Sequence, residues 1–485
     1  MTDIPWKTTP FDHQRNDVEK FGQAGAWARF WEPGLGKTLP TLTEAAWLYE
    51  LGEIDGVIVL APNGVHRNWA VDQVPTHLGV ENYKVHTWQT QKAATRWHMQ
   101  AFKECLEHEG LALLFMSYDS IKTDKGSAAW RSFLKQRRCL YVLDESPRIK
   151  TPTSQVTKRV LGSRGAAPYR RILTGTPVDD KPFDVYSQVK FLNPEAWNQI
   201  GCRNYTAFKS MFGVWVDLER RDTGQRFKKL VEYRNMDLLQ EQMLKVGSRI
   251  MKEDVLDLPP KLYSTRYFDL APKQRKVYEE LKDNMITFLE NGDMVAADLA
   301  IVKIMRLQQV TSGWLPTEDD ATVMTPICEQ NPRLKLLAEV IEDTDHQMIV
   351  WAKYRQDITN IMELCRKLDV TAVRYDGTCN DDQMARAIDD FKSGNAQVFV
   401  ANPKKASEGI TLTCAKTMVY YNQNWKLAER LQSEDRIHRI GQDVPVHIID
   451  ICAADTVDRA IIEALTTKRQ MAAFIQGDEL KDWIQ

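Results

Sequence analysis

The sequence predicts an α/β protein with two parallel-sheet lobes and helical insertions between them. Short apolar, β-branched runs alternate with helical stretches in residues 1–195 and again in residues 346–485, and buried parallel strands have this composition. Residues 196–345 are mainly amphipathic and lack such runs over most of their length. A chain of 485 residues also exceeds what one hydrophobic core usually holds, so we expect more than one domain.

Each lobe contains a series of predicted strands. They lie at 56–60, 111–118, 140–143 and 171–174 in the first lobe, and at 348–351, 371–374, 398–400, 418–420 and 446–449 in the second. In parallel α/β sheets, ligands bind at the turns that follow the carboxyl ends of the strands. We therefore look for a site in the polar turns after the first series. In the second lobe, Asn380 and Gln383 predict a capping box at the start of a helix.

The middle region, 196–345, is predicted to hold helices, a hairpin and a linker. Amphipathic patterns predict helices over 236–252, 271–290 and 294–310. Two β-rich arms flank Asp222-Thr223-Gly224 within Val214 to Tyr233 and indicate a hairpin. Five basic residues near its tip form either a solvated charged turn or an accessory contact to nucleic acid: Arg220, Arg221, Arg226, Lys228 and Lys229.

Composition restricts the class of protein. Hydrophobic residues make up 43% and charged residues 27%, which is ordinary for a globular protein. We find no apolar run near the length of a membrane span and no signal-peptide pattern, so we expect a cytoplasmic protein without membrane contact. The eight cysteines show no C-x-x-C spacing, which argues against a zinc site or a disulfide framework. A net charge of -2 does not favour nucleic-acid binding by the whole surface, although a cleft can be locally basic.

Residues 32–38, which read Glu-Pro-Gly-Leu-Gly-Lys-Thr, precede a helical stretch. Glycines allow backbone N–H groups to wrap phosphates at the positive end of a helix. In such a loop Lys37 would reach the β- and γ-phosphates, and the Thr38 hydroxyl would hold Mg²⁺. A flexible turn with an incidental lysine is the alternative, because Trp31 stands where the full phosphate-loop pattern has a glycine.

A carboxylate pair, Asp144 and Glu145, follows the apolar strand at 140–143. Such a pair at a strand end suits an NTPase that activates water. Asp144 would bind Mg²⁺ through water, and Glu145 would orient and deprotonate the attacking water. A solvated acidic turn is the alternative, and the lysine-bearing loop upstream counts against it.

Eight segments in chain order resemble the motifs of Snf-type ATPases, a branch of helicase superfamily two. Residues 144–150 read D-E-S-P-R-I-K where the family has D-E-A-H-R-I-K, and residues 32–38 resemble the family's D-E-M-G-L-G-K-T, which also lacks the first glycine. The other six are Phe11 to Gln14 (the Q motif), Ala61 to Trp69 (Ia), Ser117-Tyr118 (Ib), Leu173 to Pro177 (III), Ala406 to Thr413 (V) and Gln432 to Gln442 (VI).

The resemblance implies two RecA-like lobes that bind ATP and Mg²⁺. The first lobe, 1–195, would carry motifs Q to III, and the second, 346–485, motifs IV to VI and a C-terminal helix. Lys37 and Glu145 would be catalytic. The nucleotide would contact Gln14 (at the adenine), Gly34, Gly36, Lys37, Thr38, Asp144 and Gln432, with Thr38 and Asp144 holding Mg²⁺.

Motif VI also supports a chemical argument of its own. Arg436 and Arg439 are three residues apart on a stretch expected to be helix-like up to Gly441, so they would share one face. Two guanidinium groups on the second lobe can stabilise the transition-state charge of ATP bound to the first. A surface pair bonded to Asp435 or Glu434 is the alternative.

Double-stranded DNA is the partner that the resemblance implies. Seven candidates for phosphate contacts follow from the motifs, each with an ordinary turn or core role as its rival: Asn68, Ser117, Tyr118, Lys353, Thr411, Thr413 and Trp425. We expect a monomeric ATP-driven motor that translocates on duplex DNA or remodels protein–DNA complexes, with a possible protein partner on the helical insertions. Two alternatives stay open: a strand-separating helicase or restriction-type motor subunit, and an ATP-gated clamp or polymerase-associated regulator.

Overall fold

The structure, a computed structural model, describes residues 3–219, 226–290, 296–317, 323–406 and 410–476. These residues form two compact units. The first lies within Met1–Val214, Leu230–Asp257 and Gln470–Gln485, and the second within Trp215–Lys229 and Leu258–Arg469. The region between the predicted lobes therefore contributes residues to both units.

The strands, in chain order, are β1 Ala26–Trp31, β2 Gly56–Ala61, β3 Tyr83–Thr87, β4 Leu111–Ser117, β5 Cys139–Asp144, β6 Tyr169–Leu173, β7 Gly213–Glu219, β8 Arg226–Tyr233, β9 Gly247–Ile250, β10 Lys261–Phe268, β11 Trp314–Pro316, β12 Met324–Pro326, β13 Met348–Trp351, β14 Ala372–Tyr375, β15 Val398–Ala401, β16 Thr417–Tyr420 and β17 Val446–Ala453.

The α-helices are α1 Asp12–Phe21, α2 Thr38–Glu50, α3 Val65–Asn68, α4 Val74–His77, α5 Arg96–Leu106, α6 Asp124–Gln136, α7 Gln155–Ser163, α8 Val185–Leu192, α9 Ala196–Gln199, α10 Tyr205–Phe212, α11 Met236–Leu244, α12 Lys252–Val255, α13 Pro272–Glu290, α14 Ala296–Thr311, α15 Pro332–Glu342, α16 Arg355–Lys367, α17 Asp381–Lys392, α18 Pro403–Ala406, α19 Leu427–Glu434 and α20 Val457–Gln476.

The first unit is built on a seven-stranded parallel sheet with the order β3-β4-β2-β5-β6-β1-β9. Every residue of β2 and β4 is buried, because a parallel sheet covered by helices leaves neither face to water. Leu42 of α2 and Val57 of β2 belong to the main hydrophobic cluster of this unit. The carboxyl ends of β5, β6 and β1 therefore lie side by side at one edge.

The second unit contains a six-stranded parallel sheet with the order β10-β17-β16-β13-β15-β14. Its hydrophobic clusters cover both faces of β13, with Ile349 on one side and Val350 on the other. The two predicted parallel-sheet lobes are thus confirmed. So is the capping box, since Asn380 Oδ1 accepts from the Gln383 N–H and Gln383 Oε1 accepts from the Asn380 N–H, both at 2.9 Å.

One helix prediction in the middle region is wrong. The helix expected over 236–252 ends at Leu244, and Gly247–Ile250 forms β9, which pairs with β1. Gly247 explains the difference, because a Cβ at this position would lie 2.6 Å from the Ala28 Cβ and 2.7 Å from the Ala28 carbonyl oxygen. Only glycine permits so close an approach of two backbones.

The other two helices and the hairpin predicted for the middle region agree with the structure, whereas the strands β10, β11 and β12 of this region were not predicted. The helices expected over 271–290 and 294–310 are α13 and α14. The hairpin arms are β7 and β8, which form a two-stranded sheet, whereas Arg220, Arg221 and Gly224 at its tip lie outside the described residues.

All eight cysteines are free thiols, and five of them are buried. Within the described ranges, no helix is both long enough and apolar enough to cross a membrane.

Candidate nucleotide-binding and nucleic-acid-binding sites

The loop at residues 32–38 joins the carboxyl end of β1 to the start of α2. Gly34 and Gly36 have φ angles of 92° and 68°, which favour glycine. A Cβ on Gly36 would also collide with Gln14 Nε2. The Gln14 side-chain amide donates to the Leu35 carbonyl at 3.3 Å and to the Gly36 carbonyl at 3.0 Å. Gln14 therefore braces the loop from outside, and its predicted contact with adenine stays a prediction.

Lys37 directs its ammonium group into this loop. Lys37 Nζ donates to the Trp31 carbonyl at 2.9 Å and to the Glu32 carbonyl at 3.2 Å. Thr38 is the first residue of α2, a helix of thirteen residues. Its backbone N–H lies at the positive end of the helix, where anions are stabilised. The loop thus combines a lysine, a hydroxyl and a helix N-terminus.

A buried ionic cluster fixes the elements on either side of the loop. Arg29 of β1 and Arg171 of β6 share Glu44 of α2, and Arg29 Nε also donates to Asp17 Oδ2 at 2.8 Å. All four side chains are buried. Charges buried in this way are retained only when they are paired and hydrogen-bonded. Sequence reasoning missed this cluster, because its members are far apart in the chain and match no motif.

Asp144 is the last residue of β5, and its surroundings disfavour the charged form of its carboxyl group. Burial raises the pKa of its carboxyl group to about 7, and the neighbouring Glu145 charge adds to the rise. A hydrogen bond from Trp69 Nε1 to Asp144 Oδ2, 2.9 Å long, and the positive charge of Lys37 act in the opposite direction. A bound cation would favour the charged carboxylate further.

Glu145 adopts a left-handed backbone conformation, with φ 54° and ψ 59°. Non-glycine residues rarely occupy this region, and those that do cluster at functional sites. Its N–H donates to the Leu173 carbonyl at 2.8 Å, which joins the ends of β5 and β6. The Thr174 hydroxyl then donates to Glu145 Oε2 at 3.3 Å. The sequence shows Thr174 only as part of the segment Leu173 to Pro177, and spacing alone does not reveal its contact with Glu145.

The turn after Glu145 is anchored to α8. Ser146 Oγ donates to Gln188 Oε1 at 2.6 Å, and Gln188 Nε2 donates to the Pro177 carbonyl at 2.7 Å. Ser146 stands where Snf-type ATPases have alanine. Its hydroxyl has a buried hydrogen-bond partner, Gln188, which also donates to Pro177. This departure from the family pattern therefore links the acidic pair to the segment 173–177.

In the second unit, Arg436 and Arg439 converge on one segment. Arg436 Nη1 donates to the Ile410 carbonyl at 3.2 Å, and Arg439 Nη1 donates to Thr411 Oγ1 at 2.8 Å. The prediction that the helix-like stretch continues to Gly441 is wrong. The helix α19 ends at Glu434, and the two arginines lie in the turns that follow it. They nevertheless reach neighbouring residues, because Ile410 and Thr411 lie in one irregular segment beside these turns.

Two neighbours of the arginines, Gln432 and Glu434, have defined hydrogen-bond partners. Gln432 accepts from Arg436 Nε through its carbonyl at 2.9 Å. Glu434 is buried, and its carboxylate accepts from Lys261, Tyr263, Arg430 and Arg469. These contacts hold the pKa of Glu434 well below its ordinary value, because three positive charges offset its burial.

The nucleic-acid candidates of the first unit differ in exposure. Asn68 is exposed at the end of α3, whereas Ser117 and Tyr118 are buried. The Ser117 and Ser120 hydroxyls share a hydrogen bond of 2.8 Å, and the Tyr118 hydroxyl donates to the Asp144 carbonyl at 2.9 Å. Tyr118 is thus attached to the acidic pair. The DNA contacts of these residues stay predictions.

The candidates of the second unit all have partners within it. Lys353 Nζ donates to Gln308 Oε1 at 2.7 Å, and burial lowers the pKa of this lysine to about 8. The Trp425 carbonyl accepts from Lys468 Nζ at 2.8 Å. Thr411 accepts from Arg439 through its hydroxyl, and the Thr413 carbonyl accepts from Gln442 Nε2 at 3.2 Å. Residues 407–409 of the predicted motif V lie outside the described residues.

Comparison with known families agrees with this arrangement. The SNF2-related domain model matches residues 30–313, and the helicase conserved C-terminal domain matches residues 332–441. The chain therefore belongs to the SNF2-related family, and the resemblance to Snf-type ATPases is confirmed.

The relatives are distant and longer. The chain is 23% identical to the ATP-dependent helicase brm of Drosophila melanogaster, over 91% of this chain and 27% of that protein. It is 24% identical to an "Uncharacterized ATP-dependent helicase" of Mycoplasma pneumoniae, over 74% of this chain and 32% of that protein. It thus spans about a third or less of these relatives. Among solved structures, the Sulfolobus solfataricus SWI2/SNF2 ATPase core in complex with dsDNA is 20% identical, over 99% of this chain and 97% of that chain, with a TM-score of 0.43.

Proposed function

We propose that this chain is a DNA-dependent ATPase that uses ATP and Mg²⁺ to translocate on double-stranded DNA or to remodel protein–DNA complexes. One observation carries the proposal. A lysine-bearing glycine loop follows β1, an acidic pair follows β5, and Thr174 follows β6 between them, with its hydroxyl on Glu145. This is the arrangement that nucleotide hydrolysis requires: a phosphate cradle beside a carboxylate that can activate water.

The residues present fit Mg²⁺ together with a triphosphate. Mg²⁺ prefers oxygen ligands and is usually held by one or two carboxylates plus substrate phosphates. Thr38 and Asp144 supply a hydroxyl and a carboxylate, and Lys37 lies close enough to Asp144 to affect its pKa. Bound Mg²⁺ would offset phosphate charge. Gly34, Gly36 and Lys37 would bind the phosphates, and Gln14 and Gln432 would contact the rest of the nucleotide.

The chemical step then falls to side chains with defined roles. Glu145 accepts a proton from the attacking water, while the Thr174 hydroxyl keeps its carboxylate oriented. Arg436 and Arg439 carry fixed positive charge in the second unit. We propose that they stabilise the charge that develops on the transferred phosphoryl group. Each cycle of hydrolysis would advance the protein on its track.

Duplex DNA is the polymer we propose. Two relatives of this chain are named ATP-dependent helicases. Hydroxyl, amide and lysine groups in the predicted motifs suit phosphate contacts, which give grip without sequence choice. We further propose that the protein acts as a monomer in the cytoplasm, where its eight free cysteines stay reduced, and that the helical insertions offer a surface for a protein partner.

The test is steady-state ATP hydrolysis with duplex DNA, single-stranded DNA, RNA and no polymer, with Lys37→Ala as the inactive control. We expect duplex DNA to stimulate hydrolysis most. Equal rates with and without every polymer would contradict a DNA-dependent motor. Stimulation by single strands alone would favour the strand-separating helicase.

A further inference from the structure

Trp69 is one of two buried tryptophans in the described residues whose indole N–H donates to a carboxylate; the other is Trp314 of the second unit, which donates to Asp357 Oδ1 at 2.6 Å. Trp69 is 2% exposed and packs near Phe115 of β4, with ring centroids 6.1 Å apart. Its indole N–H nevertheless points to a carboxylate, Asp144 Oδ2, at 2.9 Å. It also begins a π-helical turn, Trp69–Gln73, directly after α3. Such turns are rare and often occur at functional sites.

Core packing alone does not require this contact. Trp88 of the same unit is 1% exposed, and its indole N–H has no hydrogen-bond partner within the described part of the chain. Trp197, also 1% exposed, donates to the Tyr186 carbonyl at 2.9 Å, an uncharged acceptor. Trp69 differs from both because its acceptor is the carboxylate expected to hold Mg²⁺.

A second aromatic donor holds the same residue. The Tyr118 hydroxyl donates to the main-chain carbonyl of Asp144 at 2.9 Å. The side chain and the backbone of Asp144 are thus each held by one aromatic group. Trp69 comes from the helical segment after β2 and Tyr118 from the turn after β4, and β2 is the neighbour of β5 in the sheet.

We propose that Trp69 is a positioning residue for Mg²⁺-bound nucleotide: its indole N–H fixes Oδ2 of Asp144 and so orients the carboxylate toward the cation. The inference rests on the proposed ATPase function. Hydrogen bonds to charged groups are stronger than those between neutral groups. Loss of an outer-shell partner of a metal ligand typically costs about tenfold to a hundredfold in metal affinity or activity.

The experiment compares three variants with the wild type: Trp69→Phe, Trp69→Met and the matched control Trp197→Phe, which loses a buried indole hydrogen bond outside this site. A fluorescent ATP analogue is titrated at a series of Mg²⁺ concentrations and in EDTA, and thermal unfolding is recorded for each protein. We expect Trp69→Phe to need about tenfold more Mg²⁺ for half-maximal binding, with unchanged affinity in EDTA. Trp197→Phe should behave as the wild type does.

The outcomes distinguish a failure of the positioning role of Trp69 from a failure of the proposed ATPase function. If the wild type shows no Mg²⁺-dependent nucleotide binding, both are overturned. If it does, and Trp69→Phe follows the same Mg²⁺ curve as Trp197→Phe, only the positioning role is overturned. Should Trp69→Phe fail to fold, Trp69→Met decides, since it also removes the indole N–H but fills the site with a flexible apolar side chain: a higher Mg²⁺ requirement supports the inference, and an unchanged one overturns it.

Discussion

The Thr174 hydroxyl donates to Glu145 Oε2 at 3.3 Å and accepts from the Thr176 N–H at 3.1 Å. Thr174 is fully buried, and Glu145 is held in a left-handed conformation by its own N–H bond to Leu173. Backbone strain and a buried hydroxyl therefore together determine where this carboxylate lies. In a site that must activate water, such fixed orientation matters as much as basicity.

Lys37 and Glu145 should therefore have separable roles. Lys37→Ala should abolish productive nucleotide binding or turnover, because the phosphates lose their main side-chain charge. Glu145→Gln should keep nucleotide affinity and stop hydrolysis, because the amide cannot accept the proton of water. Equilibrium binding of a fluorescent nucleotide and single-turnover hydrolysis check the two effects. Near-normal turnover in Glu145→Gln would refute the assignment.

Arg436 and Arg439 should act on catalysis more than on binding. Arginine fingers supplied to related NTPases contribute on the order of a thousandfold or more to turnover, so Arg436→Ala with Arg439→Ala should lower kcat strongly and nucleotide affinity little. Each arginine also holds the segment at 410–411. Single lysine substitutions, which keep charge but lose the planar fork, show how much depends on bidentate geometry.

The control for this pair is Arg386→Ala, an exposed arginine on α17 of the same unit. It should hydrolyse ATP at the wild-type rate. A double Arg436/Arg439 variant with the same kcat as Arg386→Ala would rule out the finger role.

The sequence predicts structure correctly where a short local pattern, such as an apolar run or a glycine-rich turn, is compatible with one conformation. The glycine loop, the acidic pair after β5 and the strands β2, β4, β5 and β6 were predicted this way, because hydrophobic runs and strand-end turns are local signals. The strands β1 and β3 were not predicted. The prediction failed for β9, where a short amphipathic run continued a helical pattern and only contact with Ala28 explains Gly247.

The sequence also does not reveal contacts between segments that are far apart in the chain. Glu44 joins arginines from β1 and β6, and Trp69 meets Asp144 at a separation of 75 residues. Neither pairing leaves a trace in spacing or composition. Both depend on the order of strands in the sheet, which brings the ends of β2, β5, β6 and β1 to one edge.

Lys353 should make DNA binding sensitive to alkaline pH. Burial lowers its pKa to about 8, although Glu429 and Asp357 oppose the shift. The ammonium group is therefore mostly charged at pH 7 and mostly neutral at pH 9. If it contacts a phosphate, raising the pH over this range should weaken binding and reduce the slope of log affinity against log salt by about 0.9. Titrations of duplex DNA at several salt concentrations measure both changes.

Lys353→Arg provides the matched comparison, because a guanidinium stays charged at pH 9. Its salt slope should be the same at pH 7 and pH 9. Identical pH dependence in the wild type and in Lys353→Arg would exclude Lys353 as the titrating phosphate contact.

The β7–β8 hairpin is the candidate for a strand-separating pin. Basic residues near the tip, Lys228 and Lys229 among them, are exposed, and charged groups do not by themselves unstack bases. The arms, however, also expose apolar side chains: Val216, Leu218, Phe227 and Val231. Wedges that open base steps are generally apolar. The charge at its tip therefore does not decide whether the hairpin separates strands, and a substitution in its arms is needed.

We expect the protein to track along duplex DNA without parting its strands. The phosphate-contacting groups proposed for both units grip a backbone, and translocation on a backbone does not require base pairs to open. With ATP, the wild type should displace the third strand of a triplex and leave a tailed duplex paired, whereas Glu145→Gln should not displace the third strand. Phe227→Ser should leave triplex displacement unchanged, because the hairpin would have no part in it. Efficient unwinding of the tailed duplex, lost in Phe227→Ser, would overturn this prediction. It would instead identify a helicase whose pin is the hairpin.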